Sequence, residues 1–196
     1  MKKEKKNLGA KTNLKAIKNI LGKGLIFLLL SSQTCANEKL YEGFGERLSQ
    51  MKEVAAYKFA KGIPIQSIER EERVISLAIH AGLSQRITKE SLRKIFQTQI
   101  EAAREIQSCW LDKFSKASSL PESYDLTQVL RPKIEELGKK IVEQIPTHTG
   151  NEGSFFDHLN IECLSDNSKY EILAALQEVK FYNNSLEQIR QSGLLR

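Results

Sequence analysis

The sequence predicts an all-α fold, a helical bundle of about five to six helices. After residue 37, apolar residues recur at intervals of three and four along most of the chain, which is the period of an amphipathic helix. No segment has the strict apolar–polar alternation that is typical of a β-strand. With 40% hydrophobic and 28% charged residues, the composition fits an ordinary globular domain, and residues 37–196 suffice for one buried core.

Residues 1–36 are predicted to be a secretory signal peptide that is cleaved before Asn37. A lysine-rich segment precedes an apolar run at 24–32, and the small residues Thr34 and Ala36 suit a signal peptidase. The run is shorter than the roughly 20 apolar residues of a transmembrane helix. We therefore expect a periplasmic or secreted protein with no membrane contact after cleavage; an uncleaved amphipathic anchor is the alternative. Lipidation of Cys35 is not expected, because Ser-Gln-Thr before it departs from the usual aliphatic pattern.

The formal net charge of +6 originates in this leader. Residues 1–36 contain eight lysines and one glutamate, which leaves 22 basic and 23 acidic residues in the rest of the chain. A nearly neutral body without a basic stripe lacks the charge pattern that attracts a phosphate backbone. We therefore expect no nucleic-acid partner.

The first two helices are predicted over 38–61 and 67–83. Gly62 and Pro64 end the first helix, and acidic residues in the first turns of the second favour its helix dipole. Apolar residues follow one face of each helix: Phe44, Leu48, Met51, Val54, Ala55 and Tyr57 in the first, and Ile68, Val74, Ile75, Leu77, Ala78 and Ala81 in the second.

Three further segments complete the bundle. Thr88 is a suitable N-cap for a long helix that ends at Phe114, followed by a linker at 115–122. A fourth helix is predicted over 130–145, with Pro132 in its first turn. Residues 148–160 are predicted to be a polar loop, and 169–190 to form one long helix or two short ones.

Two cysteines, Cys109 and Cys163, remain after removal of the leader. An exported protein folds where disulfides form, so these residues are either bridged or two buried thiols. Catalytic motifs of the phosphate-loop, nucleophile-elbow and metalloprotease types are absent from the sequence, and its three histidines are scattered. We expect no cofactor, no metal and no covalent chemistry.

Several polar residues lie on predicted packed faces. Arg47 and Lys58 are eleven residues apart, so they share one side of the first helix about three turns apart. By periodicity alone, we favour an interpretation in which both side chains reach out to water. Gln99 and Gln107 flank Ala103 along the packed side of the third helix, where buried amides need partners. Arg70 belongs to a charge run that is usually solvated.

These residues also form a pattern that resembles the all-helical AroQ class of chorismate mutases, in particular its secreted or periplasmic gamma subclass. The residue types and their intervals match together, from 39 to 114, whereas 115–196 is divergent. The segments that carry the resemblance are Glu46-Arg47-Leu48, Val54-Ala55-Ala56-Tyr57-Lys58-Phe59, Pro64-Ile65, Glu69-Arg70-Glu71 and Phe96-Gln97-Thr98-Gln99-Ile100-Glu101-Ala102-Ala103-Arg104-Glu105-Ile106-Gln107.

The resemblance implies conversion of chorismate to prephenate, a rearrangement within one dianionic molecule that belongs to aromatic amino acid biosynthesis. It assigns donation to the breaking ether oxygen to Lys58 and Gln107. Arg47, Arg70 and a cation of the fourth helix would hold the two carboxylates, and Glu71 would accept a hydrogen bond from the ring hydroxyl. Relatives also imply a homodimer whose active sites are each built within one chain.

Two departures from the family pattern bear on this assignment. Ala103 stands where the family commonly has a serine or threonine hydroxyl, one turn before the ether-oxygen donor. Lys140 is assigned as the fourth-helix cation where the gamma subclass usually has arginine, with Arg131 and Lys139 as alternatives.

A non-enzymatic periplasmic adaptor, or a small-ligand-binding protein on the same fold, is therefore the alternative function. Because the Gln107 amide donates at every pH, the enzyme interpretation implies a nearly flat pH profile.

Overall fold

The structure is a computed structural model that describes residues 37–119, 121–148 and 153–183. The predicted leader at 1–36 lies outside the described residues, and so does 184–190, the end of the last predicted helix. Within the described part of the chain, no helix combines the length and the hydropathy needed to cross a membrane.

The described chain is helical, as predicted, with one isolated antiparallel bridge between Ile87 and Phe181. The helices are α1 (37–49), α2 (Met51–Lys61), α3 (Ile68–Gly82), α4 (Lys89–Ser115), α5 (Arg131–Gln144), α6 (Phe155–His158) and α7 (Asp166–Gln177). A π-helical turn, Leu126–Leu130, leads into α5, and a 3₁₀ turn, Ile145–Thr147, follows it. The all-α prediction is therefore confirmed.

Local chemistry explains where these helices begin and end. Thr88 caps α4, as predicted, by accepting a hydrogen bond from the Ser91 amide, and Ser67 caps α3 in the same way. Gly62 ends α2 in the left-handed region, at a φ of 62°, which a glycine adopts without strain. Pro132 lies in the first turn of α5, as predicted, where its missing N–H costs no hydrogen bond.

The helix predicted over 38–61 is interrupted at Gln50. The side chains of Ser49 and Gln50 both donate hydrogen bonds to the Glu46 carbonyl, at 2.8 and 3.2 Å. In a regular helix this carbonyl would accept from the backbone amide of Gln50, so the side chains compete with the helical bond. The ladder resumes at once, because the Val54 amide donates to the Gln50 carbonyl.

The core is a single cluster of apolar side chains, with α4 at its centre against α2, α3 and α7. At one end, Tyr41 and Phe44 of α1 pack edge-on against the fully buried Phe155 of α6. These contacts hold α1 against α6, while α2 packs directly on α4.

Three details of the predicted arrangement are wrong. The polar loop predicted at 148–160 contains α6, and its Phe155 and Leu159 are fully buried. Ile68 and Leu77, assigned to the packed side of α3, are 71% and 40% exposed. The last described helix, α7, ends at Gln177, so the single long helix over 169–190 is wrong, whereas the alternative of two short helices extends outside the described residues. After α7 the chain pairs with the start of α4 through the Thr88 amide and the Lys180 carbonyl, 3.0 Å apart.

A disulfide joins Cys109 and Cys163, which decides between the bridge and the two thiols. It attaches α4 to the segment before α7. A second attachment lies beside it, because Glu105 of α4 accepts hydrogen bonds from the backbone amide of Ser165 and the hydroxyl of Ser168 at the start of α7. The C-terminal third is therefore anchored to the central helix by a covalent bond and a carboxylate cap.

We predict that the double variant Cys109→Ser/Cys163→Ser is less stable than the parent by about 4 kcal/mol, the loop-closure entropy expected for a bridge of this span. Thermal melts monitored by circular dichroism should give a Tm lower by about 10 °C. The parent should lose as much when a reductant is added, whereas the double variant should not respond. Equal melting temperatures in the two proteins would contradict a stabilising role for the bridge.

Candidate functional site

A cavity of about 320 Å³ lies between α1–α2, α3, α4 and the start of α5. Five cationic side chains and one carboxylate, Glu71, are part of its wall. The lining residues are Arg47, Met51, Val54, Lys58, Ile63, Pro64, Ile65, Gln66, Ser67, Arg70, Glu71, Val74, Ile100, Ala103, Arg104, Gln107, Leu126, Arg131 and Ile134. The excess of positive charge suits a small anion with more than one negative group.

Arg47 is buried at the bottom of this cavity, with 3% of its surface exposed. One terminal nitrogen, Nη1, donates to Oε1 of Gln99 at 3.1 Å, and the guanidinium carbon lies 5.6 Å from the centre of the Phe96 ring. Burial and the positive charge of Arg70 lower the pKa of Arg47 to about 10. The interpretation that this side chain reaches out to water is wrong; its partner is the buried amide of α4.

Lys58 is also buried, at 9% exposure, so it does not extend into water either. Its ammonium Nζ donates to the backbone carbonyl of Ile65 at 2.5 Å, which places it under the segment between α2 and α3. Burial, followed by the positive charge of Arg131, lowers the pKa of Lys58 to about 8, and the Glu71 carboxylate opposes this shift. The group is therefore a cation at neutral pH that is close to losing its proton.

Gln107 of α4 lines the same cavity as Lys58 and is 5% exposed. Its amide nitrogen donates to the Ala103 carbonyl at 2.9 Å and lies 3.7 Å from the sulfur of Met51. Its buried oxygen, Oε1, has no hydrogen-bond partner among the described residues. Ala103 offers no hydroxyl at this level of the wall, as the sequence indicated. The amide thus retains bonding capacity for a ligand.

Arg70 and Glu71 reach the cavity from the first turn of α3. Arg70 donates to Glu135 of α5 at 2.6 Å, and the same carboxylate oxygen lies 3.8 Å from Nε of Arg73. Only 20% of the Arg70 side chain is exposed, so the charge run of α3 is not simply solvated. Glu135 therefore fixes the position of Arg70 at the edge of the cavity.

The assignment of Lys140 to the site is corrected by the structure. Its side chain is 60% exposed and lies 3.9 Å from Glu136, and it is not part of the cavity wall. Arg131, one of the two alternatives, does line the cavity, whereas Lys139 does not. The reason is geometric: nine residues beyond Arg131, Lys140 lies about 13 Å further along the helix and on its opposite side.

Other wall residues were not predicted from the sequence. Arg104 of α4 adds a fifth cation, and the segment 63–66 closes the cavity with its backbone. Arg104 lies one residue after Ala103 within the matched motif, so its position was a usable signal. No sequence signal could have identified the backbone carbonyl of Ile65, because a main-chain acceptor is not tied to a residue type. Within the described ranges, no three histidine, cysteine or acidic side chains converge as metal ligands.

This arrangement suits the binding of a dianion in a largely desolvated space. Four arginines offer forked donors for carboxylates, and a lysine of α2 and an amide of α4 line the same space. Charged hydrogen bonds are stronger where water is excluded. No side chain of the wall is a cysteine or histidine, so the chemistry that the cavity favours is positioning and electrostatic stabilisation.

Comparison with known proteins identifies similar chains. The family model described as chorismate mutase type II matches residues 34–108. A secreted chorismate mutase of Yersinia pestis is 29% identical over 181 residues, covering 86% of this chain and 95% of that protein. A secreted chorismate mutase of Mycobacterium tuberculosis is 27% identical over 158 residues, covering 79% and 76%.

Solved structures agree. The crystal structure of the Yersinia pestis protein superposes with a TM-score of 0.67 at 28% identity, over 74% of this chain and 98% of that one. A chorismate mutase from Burkholderia phymatum, 22% identical, shares the fold with a TM-score of 0.63. The region matched by the family model contains α1, α2, α3 and most of α4, with most of the cavity wall, so the part of the chain that forms the site is similar to chorismate mutase type II, the all-helical AroQ class.

Proposed function

We propose that the cavity is the active site of a chorismate mutase that converts chorismate to prephenate by a [3,3] rearrangement. The observation that carries the proposal is the convergence of Arg47, Lys58, Arg70 and Arg131 on one cavity whose wall contains a single carboxylate. The substrate is a dianion, and its two carboxylates would supply the negative charge that the wall lacks. A non-enzymatic adaptor would have no need of these cations in one desolvated space.

The reaction needs no nucleophile, because one carbon–carbon bond forms as one carbon–oxygen bond breaks within the same molecule. Negative charge develops on the ether oxygen in the transition state, and donors already aimed at that oxygen lower the barrier. Lys58 of α2 and Gln107 of α4 both line the cavity, and each would supply such a donor. Beyond the hydrogen that Ala103 accepts, the Gln107 amide nitrogen has a second one, which makes only a 3.7 Å contact with the Met51 sulfur, so the amide would exchange that contact for the ether oxygen and keep its helical bond.

The substrate would be held in its compact reactive shape by Arg47, Arg70 and Arg131. Arg47 lies at the bottom, and Arg70 and Arg131 lie at the side formed by α3 and α5. Glu71 would accept the hydrogen bond of the ring hydroxyl. Binding of both carboxylates would hold a flexible substrate with its two reacting carbons in contact. This removes much of the entropic part of the activation free energy.

The protein acts outside the cytoplasm, as a secreted or periplasmic enzyme; both relatives above are described as secreted. The proposed leader at 1–36 would direct its export, with cleavage before Asn37. We propose a homodimer as its assembly. As the family resemblance implies, each subunit would contain a complete site.

Removal of either ether-oxygen donor should slow the reaction. We predict that Lys58→Ala and Gln107→Ala each lower the rate of prephenate formation by roughly 10²- to 10³-fold, the usual cost of losing one preorganised donor. Lys61→Ala and Ser108→Ala, exposed neighbours on the same helices, are the matched controls and should be as active as the parent. Folded Lys58→Ala and Gln107→Ala proteins with parental rates would refute the proposed roles.

The correction on α5 gives a paired test. Arg131→Ala should lower kcat/KM by about 10- to 100-fold, since a hydrogen bond to a charged group contributes about 1.5–3 kcal/mol. Lys140→Ala removes a positive charge from the same helix but outside the cavity, and should change kcat/KM by less than about twofold. A larger loss in Lys140→Ala than in Arg131→Ala would restore the assignment made from the sequence.

The pH profile should separate free enzyme from the substrate complex. The depressed pKa of Lys58, about 8, means that the free enzyme loses this cation as the pH rises through 8, so kcat/KM should fall above that value. A bound dianion raises the pKa again, so kcat should stay nearly flat, as the non-titrating Gln107 also implies. Steady-state rates measured from pH 6 to 9.5 test both expectations, the fall of kcat/KM and the flat kcat.

Lys58→Arg is the control for this profile, because its guanidinium keeps its charge throughout that range. If the variant retains measurable turnover, its kcat/KM should lose the alkaline fall. A fall that persists in Lys58→Arg would assign the titration to another group, and a fall of kcat itself above neutrality would contradict the role of Gln107.

A further inference from the structure

One cation of the cavity wall, Arg104, has no part in the proposed function. It lies on α4, four residues after Ile100 and three before Gln107, a spacing that places the three side chains on one face of the helix. All three line the cavity. Gln107 is buried whereas Arg104 is half-buried, so the Arg104 side chain lies nearer to solvent than the amide does.

Arg104 and Arg131 differ from the other arginines in having no partner. Within residues 37–119, 121–148 and 153–183, neither one makes a hydrogen bond or an ion pair, and both line this cavity. The remaining arginines of these ranges each bond or pair with another group: Arg47, Arg70, Arg73, Arg86 and Arg93. In the described chain, guanidinium groups with all of their donors free therefore occur only at the cavity.

The acidic residues near Arg104 in the sequence do not neutralise it. Glu105 caps the start of α7 instead, and Glu101, one turn before Arg104, is exposed and does not pair with it in the described structure. Glu71, the one carboxylate among the lining residues, stands against five cations. Cations confined together repel one another and cost free energy of folding, which a bound anion would offset.

We propose that Arg104 is a substrate-binding residue that holds one carboxylate of the dianion together with Arg131; this step rests on the proposed function. Each of the two guanidinium groups can offer a forked pair of N–H donors without breaking an existing bond. Ala103, the preceding wall residue, presents only a methyl group, so α4 would supply this contact through Arg104. Arg47 and Arg70 are then left for the other carboxylate.

Binding of prephenate, the proposed product and itself a dicarboxylate, tests the contact at equilibrium. In isothermal titration calorimetry, Arg104→Ala should raise the Kd by about 10- to 100-fold, the usual cost of losing a hydrogen bond to a charged group. In turnover of chorismate, KM should rise by a similar factor and kcat should change by less than about threefold, since ground state and transition state lose the same contact.

Arg93→Ala is the matched control, because it removes the same charge from the same helix outside the cavity, about 16 Å along the axis. Its Kd for prephenate should stay within about twofold of the parent. Removal of an unpaired cation should leave the Tm of Arg104→Ala unchanged or raise it, so thermal melts separate a lost contact from a damaged fold.

Salt and a conservative variant separate a direct contact from long-range attraction. At 1 M NaCl the Debye length is about 3 Å, so an effect of distant charge disappears, whereas the loss in Arg104→Ala should remain at least about fivefold. Arg104→Lys keeps the charge but not the fork, so it should recover only part of the parental affinity.

Parental affinity in folded Arg104→Ala, or a loss that vanishes at 1 M NaCl, would overturn the proposal, and conversion of chorismate by the parent would show that the proposed function survives. Full affinity in Arg104→Lys would overturn it too, because a point charge would then suffice. If the parent does not convert chorismate but binds prephenate with an affinity that depends on Arg104, the carboxylate contact stands and the proposed function fails.

Discussion

The fold has to hold Arg47 and Lys58, two buried cations on one face of the α1–α2 helix, without neutralising them. A carboxylate beside either one would stabilise the folded protein, but it would occupy the place of the substrate. Neutral acceptors are used instead: the amide of Gln99 for Arg47 and the carbonyl of Ile65 for Lys58. Desolvated charges with neutral partners cost free energy of folding, which the core and the disulfide must offset. The lowered pKa of both groups reflects this cost.

The rest of the architecture follows from that requirement. Helix α4 is the rigid reference, because α2, α3 and α7 pack on it and its own buried face carries Gln99 and Gln107. The disulfide and the Glu105 cap hold α7 on its far side. The remaining helix of the cavity wall, α5, contributes through its first turn, which begins at Arg131 directly after the π-helical turn. A site made of long, flexible cations thus acquires its geometry from the least flexible part of the molecule.

Helical periodicity placed the polar residues on packed faces, but by itself it favoured Arg47 and Lys58 reaching out to water, and the family resemblance was needed to assign them to a site. Arg47, Lys58, Gln99 and Gln107 belong to helices whose faces are fixed by their own apolar stripes, so their convergence was predictable within a family resemblance. The position of Lys140 outside the cavity was not predictable. It depends on how α5 enters the bundle, and a divergent linker precedes that helix. The interval 148–160 was misjudged for a related reason. Its few apolar residues stand among many polar ones, and only the tertiary fold buries Phe155, against Tyr41 and Phe44, and Leu159.

The bond from Lys58 to the Ile65 carbonyl has an evolutionary consequence. Every residue has a backbone carbonyl, so no substitution at position 65 deletes this acceptor, and drift in side-chain identity there is tolerated. Insertions and deletions would not be tolerated in the same way. One residue more or less between Gly62 and Ser67 would bring a different carbonyl, or none, to the Lys58 ammonium group. Among homologues, the length of this connection should therefore be conserved more strictly than its amino-acid sequence.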